Sequence, residues 1–383
     1  MSRTQSPTIS HRLEYLIYRV FEQSLKRMSL ETTFKLGEFV GRVAFRLIKS
    51  RRKQVIRNLT YAFGDEKSLK EIAVLAAEVF ERSGANFLSS MRIPFLGDKE
   101  IMKHLSFVGL HDLIREKKNG GLILVSPHMG NWELLAQAVF LTGSQIEVGT
   151  HYRPLNNSLI NTVIERRRKK RGLQLFPKQT STHRLINFVR EGGALGVLAD
   201  QRVGSRGTSC TFFGRPTTCS PLPHLIAKRG KGELMGLVCE TVGPCQWEVR
   251  LRHIPIASAQ ACSDSLETAW RRSPADVFWF EDRWRIQGKA PLKFLDKYSD
   301  PSQVTRPLRL VNLAKGESSL PHPNWLLTQE IAELDFSLSD KELVQALDKI
   351  SNQGSVPPDI FVCPERHKTR LKKLSRKTQI LSV

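Results

Sequence analysis

Across residues 122–256 short apolar runs recur, the first four with room for one or two helices between neighbours and the last two close together: LILVS, QIEVGT, GALGVLAD, LMGLVCE and QWEVRLRHIPI. Helical patterns fill the intervals at 132–141, 158–171, 181–189 and 223–228. A strand buried on both faces reads as a continuous apolar run, and the last run, which alternates, reads as half-exposed. This alternation predicts an α/β fold whose mixed, largely parallel sheet is flanked by helices.

The first run leads into the corner LILVSPHMGNWELLAQ. Pro127 and Gly130 punctuate it, and Asn131 reads as the N-cap of a helix that begins at Trp132. In a continuous helix, five residues turn the chain by about 500°, so His128 and Glu133 meet only if the chain bends between them. The corner provides that bend. His128 then occupies a strand-to-helix loop at the carboxyl end of the sheet, where α/β proteins bind ligands, and Glu133 in the first helical turn can fold back to one imidazole nitrogen. An imidazole so held is a general base for a hydroxyl or thiol. A glutamate in a first turn is also favoured by the helix dipole alone, so the setting carries more weight than the spacing.

Lysine and arginine number 59 against 37 acids, a net charge of +22, which calls for an anionic partner: nucleic acid, anionic lipid, a phosphorylated substrate or an acidic protein. Nucleic-acid binding would require aromatic residues interleaved with basic ones on a strand, or a recognition helix, and the sequence has neither. Cys210, Cys219, Cys239, Cys245, Cys262 and Cys363 are irregularly spaced and fit reduced thiols; no zinc spacing occurs. The opening MSRTQSPTISHRLEYL lacks the apolar core of a signal peptide. The apolar stretch 119–146 is broken by Pro127, Gly130 and Asn131 into pieces shorter than the roughly 20 residues a spanning helix needs. No transmembrane helix is expected.

Residues 1–68 read as amphipathic, membrane-associating helices, 69–290 as the α/β domain, and 291–383 as a linker and small α/β appendage of unassigned role. Leu13, Leu16, Ile17, Val20, Phe21, Leu25 and Met28 form one apolar stripe; Phe39, Val40, Val43, Ala44, Leu47 and Ile48 form another, followed by the basic KSRRKQVIRNL. Such stripes suit an anionic membrane surface and suit packing on the protein's own core equally well. A helix over 69–91 reads as scaffold. In the appendage LRLVNLA and DIFVC suggest strands, with helical segments between and after them.

Further chemistry-bearing residues lie in the basic run Arg166 to Arg171, mostly a solvated helical face, and in GVLADQRVG, where Asp200 and Gln201 end a strand. FFGRPTTCSPLPHL reads as a loop entering a helix. In order and spacing HMGNWE, YRPLNN, ERRRKKRG, GVLADQRVG and FFGRPTT resemble the lipid A biosynthesis (late) acyltransferases of the lysophospholipid acyltransferase superfamily, over roughly residues 10–290. The chain departs from that pattern at VFWFEDRWRI, where Glu281 and Asp282 stand in place of His and Arg.

The resemblance implies acyl transfer, without cofactor or metal, from a thioester on acyl carrier protein. The acceptor is a hydroxyl of a phosphorylated glucosamine disaccharide at the cytoplasmic face of the inner membrane. By the same resemblance His128 is the base and Glu133 orients it; Arg168, with Arg167 as the alternative in register, contacts substrate or oxyanion; Asn131, Asp200 and Gln201 contact substrate. Another glycolipid or phospholipid acceptor fits the same chemistry. A basic membrane-surface or nucleic-acid-binding protein without catalysis is the reading of a different class, against which the intact His128 and Glu133 stand.

Overall fold

The computed structural model describes residues 7–109, 120–141, 145–204, 207–286, 291–313, 322–354, 356–375 and 378–382. They form two compact units, one of Met1–Ile48, Ala77–Asp200 and Pro221–Phe278, the other of Lys49–Ala76, Gln201–Ser220 and Trp279–Val383. The units cut across the boundaries at 68 and 290, because the basic segment after Ile48 and the FFGRPTT block group with the C-terminal residues.

Five helices open the chain: α1 (Ile9–Lys26), α2 (Leu30–Leu47), α3 (Lys49–Phe63), α4 (Leu69–Arg92) and the short α5 (Asp98–Met102). Thr8 and Ser29 cap α1 and α2 through their hydroxyl oxygens. Both helices turn most of their apolar stripes outward, α1 burying the Leu25 end of its stripe. On α1, Glu22 and Leu25 are buried, whereas Leu13, Leu16, Ile17 and Val20 are 58–61% exposed. On α2, Leu30, Thr33, Phe34, Gly37 and Gly41 are buried while Phe39, Val40 and Leu47 are exposed. Among the described residues no helix is long and apolar enough to cross a membrane.

The strands in chain order are β1 (Leu105–Val108), β2 (Leu122–Ser126), β3 (Val148–Tyr152), β4 (Gln174–Pro177), β5 (Ala194–Leu198), then β6 (Thr208–Phe212) and β7 (Arg215–Cys219) of the second unit, then β8 (Glu233–Gly243) and β9 (Gln246–Ile254). The first unit holds a seven-stranded sheet of order β1-β9-β8-β2-β5-β3-β4. Its pairs are parallel apart from β8 and β9. The α/β class and mixed sheet match expectation; β1 and β4 were missed because four residues are too few to show a period. Ile123, Leu124 and Val125 of central β2 are at most 2% exposed. Helices α6 (Trp132–Leu141), α7 (Ser158–Lys169), α8 (Thr182–Arg190), α9 (Leu222–Gly230) and α10 (Ala259–Arg272) complete this unit.

In the second unit β6 and β7 pair antiparallel around Phe213 and Gly214, with φ of 53° and 68°. A two-residue hairpin with both central residues in the left-handed region follows the twist of its strands. A Cβ on Gly214 would lie 2.1 Å from the Thr305 hydroxyl, so only glycine fits there. Phe213 accepts the unfavourable φ because its ring is buried against Phe63 at 5.2 Å and Phe212 at 5.1 Å. Trp279 and Trp284 join this cluster, and Arg283 donates to Thr217 Oγ1 and Thr218 O, both at 2.9 Å. VFWFEDRWRI is therefore in large part a buried structural strap.

The C-terminal strands β10 (Leu308–Asn312), β11 (Leu327–Ile331), β12 (Ile360–Cys363) and β13 (Gln379–Ser382) form a parallel sheet of order β11-β10-β12-β13. Helices α11 (Asp340–Ser351), opened by a capping box of Ser339 and Glu342, and α12 (Glu365–Leu374) pack on one face through Leu343, Leu347, Phe361 and Leu371. The other face packs on Leu295, Tyr298 and Val304. Asp359 binds Arg215 of the hairpin at 2.6 Å, both side chains 1% exposed, and also accepts from Arg309 N at 2.8 Å. The Arg215 guanidinium sits 4.4 Å from the Tyr61 ring centre. Removing one partner of a buried pair strands the other charge. Asp359→Ala is expected to cost about 3–5 kcal/mol in urea unfolding, and a double replacement, Arg215→Met with Asp359→Leu, to recover much of that loss.

Candidate active site

Strand register builds the site. β2 and β5 are neighbours with Ser126 opposite Leu198, so two residues on, past the carboxyl ends of both strands, His128 stands opposite Asp200. Ala199 N donates to Ser126 O at 2.9 Å and continues the pairing beyond the strands. His128 Nδ1 lies 2.8 Å from Asp200 Oδ1, and the His128 backbone N–H donates to Asp200 Oδ2 at 2.8 Å. One carboxylate thus fixes both ring and backbone. With Nδ1–H donated to Asp200, Nε2 is the nitrogen that carries the basic lone pair. Burial would raise the Asp200 carboxyl; the imidazole's charge and its hydrogen bonds outweigh that and hold it below the usual carboxylate range.

The loop after His128 is pinned from the far end of the unit. Phe278 N donates to His128 O at 2.9 Å, Gly130 N donates to Asp276 O at 2.8 Å, and Met129 bridges Val277. Gly130 has a φ of 55°, and a Cβ there would fall 1.9 Å from Cys239 O on β8. The Asp276 carboxylate accepts from Thr241 N and Thr241 Oγ1, each at 2.7 Å, and from Asn86 Nδ2 at 3.3 Å. Asn86 in turn accepts from the Trp247 indole at 2.7 Å. Neither Asp276 nor Asn86 stood out in the sequence, since one follows a serine-proline turn and the other sits mid-helix.

Glu133 faces a different partner from the one expected. Its carboxylate takes Arg168 Nε at 3.1 Å and Nη2 at 2.5 Å in a forked pair. The orienting bond to Nδ1 comes from Asp200. Arg167, one residue back on α7, points away from Arg168 because neighbours on a helix diverge by about 100°. It donates to Tyr18 OH at 2.8 Å and pairs with buried Glu22 of α1. Asn157, the cap of α7, donates to His11 O and to Glu14, both at 2.9 Å.

A cavity of about 360 Å³ begins at Gly130 and runs between α1, α4 and α7 past Tyr18, Phe87, Met91, Leu155 and Ile164. A smaller one of about 90 Å³ lies under β3 and β5, and Trp132, Glu133 and Arg168 line both. The larger volume is mainly apolar with a charged end of Glu133, Arg153, Arg167 and Arg168, a shape suited to a chain with a polar head. Of the expected residues, the structure brings together His128 with Asp200, and Asn131 with Glu133 and Arg168. Gln201 is exposed and falls in the second unit. Among the described residues no cluster of His, Cys, Asp or Glu could hold a metal ion, and all six cysteines are buried and unbridged.

An α/β sheet with a carboxylate-bound histidine at its carboxyl end, beside an apolar cavity with a cationic head, defines a candidate transferase of acyl groups to lipids. The model of the bacterial lipid A biosynthesis acyltransferase family matches residues 4–286. The chain is 24% identical over 269 residues to a lipid A biosynthesis acyltransferase of Haemophilus influenzae, covering 66% of this chain and 80% of that protein. It is 30% identical over 130 residues to a lipid A biosynthesis lauroyltransferase of Escherichia coli, covering 33% of this chain and 41% of that protein. The chain belongs to the bacterial lipid A biosynthesis acyltransferase family and is an acyltransferase. Residues 287–383 lie beyond the matched region.

Because the Asp200 carboxyl is depressed, its ionised form stabilises the fold fully above the ordinary carboxylate value of 3.8, and the contribution is lost as pH falls through the lower folded value. The melting temperature of wild type minus that of Asp200→Asn should therefore be constant from neutral pH to about pH 5 and shrink only in stronger acid. A difference that instead grows as pH falls through about 6 would assign the stabilisation to protonated His128.

Proposed function

We propose that this acyltransferase moves a fatty acyl chain from an acyl carrier protein thioester to a hydroxyl of a phosphorylated glycolipid precursor of lipid A. The observation that carries this reading is the imidazole of His128, held by Asp200 and set edge-on at 5.5 Å against Trp132, a residue that lines the larger cavity. As the acceptor oxygen attacks the thioester carbonyl, His128 Nε2 takes its proton; the oxyanion then collapses, expels the carrier thiolate, and the proton passes to that sulfur. Glu133 has the separate task of holding Arg168 at the head of the cavity, where a guanidinium can meet a phosphate or the developing oxyanion. The long apolar wall receives an acyl chain.

His128→Ala is expected to fold normally and to lower transfer by about 10²- to 10⁴-fold. The assay presents acyl carrier thioesters with a bisphosphorylated glucosamine disaccharide and, in parallel, with other glycolipids and phospholipids. Preference for one of the latter would keep the chemistry and change the acceptor, whereas near-normal turnover by the folded variant would remove His128 from the mechanism.

The outward stripes of α1 and α2, interleaved with Arg12, Arg19, Lys26 and Arg27, support attachment to an anionic membrane surface at its cytoplasmic face. Replacing Leu16 and Ile17 together by glutamate should leave the melting temperature unchanged and abolish sedimentation with anionic vesicles. Salt should release the wild type only in part, since screening weakens the basic residues but not the apolar face. Loss of stability in the double variant would assign the stripe to a packed interface.

A further inference from the structure

Three arginines line the charged end of the larger cavity, and two of them already have partners. Arg168 holds Glu133 in its forked pair, and Arg167 holds Glu22 and Tyr18, its guanidinium 5.1 Å from the Phe95 ring centre. Arg153 is different. It is exposed, and among the described residues it has neither a carboxylate nor any other hydrogen-bond partner. An anion that reached this end of the cavity would meet one cation that no partner already engages.

The loop that carries Arg153 is pinned on both sides. Tyr152 OH donates to Glu165 Oε1 at 2.5 Å, Asn161 Nδ2 donates to the same oxygen at 2.6 Å, and Asn161 Oδ1 accepts from Leu155 N at 3.0 Å. Helix α7 thus grips the chain just before Arg153 and just after Pro154, whose ring fixes the backbone between. Little further backbone ordering is needed to bind. Arg153 follows β3 at the carboxyl end of the sheet, the same edge at which His128 follows β2 and Asp200 follows β5. Because β5 lies between β3 and β2, the backbone at Arg153 stands two strand spacings, about 10 Å, from the line of β2. A guanidinium based there is placed for a substrate group set apart from the reacting carbonyl.

We infer that Arg153 recognises a phosphate group of the substrate where the cavity opens beside exposed Leu155, and is a specificity-determining residue, while Arg168 stays with Glu133 at the reacting end. The inference rests on the acyl-transfer reading above. A guanidinium offers parallel N–H donors that match two phosphate oxygens at once, which an ammonium does not. Two sources carry such a group: the phosphorylated sugar of the acceptor and the phosphopantetheine arm of the donor.

The test pairs enzyme and substrate changes. Arg153→Gln should melt as wild type does, since the replaced side chain is exposed. With a bisphosphorylated glucosamine disaccharide as acceptor, its KM should rise about tenfold or more while kcat is retained. Arg153→Lys should recover part of that loss, because the charge survives and the fork does not. Wild type should lose a similar factor when one phosphate of the acceptor is removed, and Arg153→Gln should treat the two acceptors alike. If the acceptor pair shows no coupling, the same cycle with acyl-phosphopantetheine against acyl-pantetheine thioesters should show it. Calorimetric binding of the bisphosphorylated disaccharide or of phosphopantetheine, weakened about tenfold in Arg153→Gln, reads the contact without chemistry. An inactive wild type that still shows this difference would therefore count against acyl transfer and not against phosphate recognition. The proposal is overturned if Arg153→Gln discriminates phosphorylated from dephosphorylated forms of both substrates as wild type does. It is equally overturned if the deficit is the same for every substrate and accompanies lost sedimentation with anionic vesicles, which would assign Arg153 to the membrane surface.

Discussion

Parallel pairing of β2 with β5 is the constraint on which the first unit turns. Because Ser126 faces Leu198, every residue past those two ends is placed by the ladder before any side-chain preference acts. A slip of one residue would send His128 and Asp200 to opposite faces, since side chains alternate along a strand. Burial of Ile123, Leu124 and Val125 on both faces makes such a slip expensive, so the hydrophobic core of the sheet and the alignment of the polar pair are one energetic fact. The fixed corner at Gly130 then hands the chain to α6 and brings Glu133 round to Arg168.

Charge on this molecule is divided by geometry. Adjacent arginines of α7 serve different neighbours, Arg168 the carboxylate of Glu133 and Arg167 the buried Glu22 and the phenol of Tyr18. The helix that presents an oily surface outward is thereby tied by ion pairing and hydrogen bonds to the helix that carries the cationic head of the cavity. Burial would lower the affinity of Arg168 for its proton, and the Glu133 charge more than compensates, so the guanidinium stays charged where an anionic head would arrive.

The sheet and the histidine corner were legible because both are written locally, in continuous apolar runs and in a proline-glycine break. The partner of His128 was not. Local spacing pointed to Glu133, five residues away, while the actual partner comes from 72 residues on through strand register, which no window along the chain displays. Periodicity likewise revealed that α1 and α2 are two-faced but not which face is inside; Gly37 and Gly41 bury the less hydrophobic side of α2. The FFGRP hairpin escaped notice because its first left-handed residue is a phenylalanine, held by ring packing where a turn signal would be an asparagine or glycine. The edge strand β11, largely exposed and rich in polar residues, showed no hydrophobic pattern to read.

The pair between Arg215 and Asp359 joins a residue inside the family-matched region to one beyond it. In evolutionary terms such a bond acts as a ratchet. An ancestral chain could acquire the extra sheet gradually, but once a dry guanidinium depends on it, deleting the extension leaves behind a cation with no counter-ion, and a descendant must neutralise Arg215 first. Order of loss is thus prescribed where order of gain was free. Chimaeras that graft this C-terminal sheet onto shorter acyltransferases, or trim it from this one, face the same one-way rule.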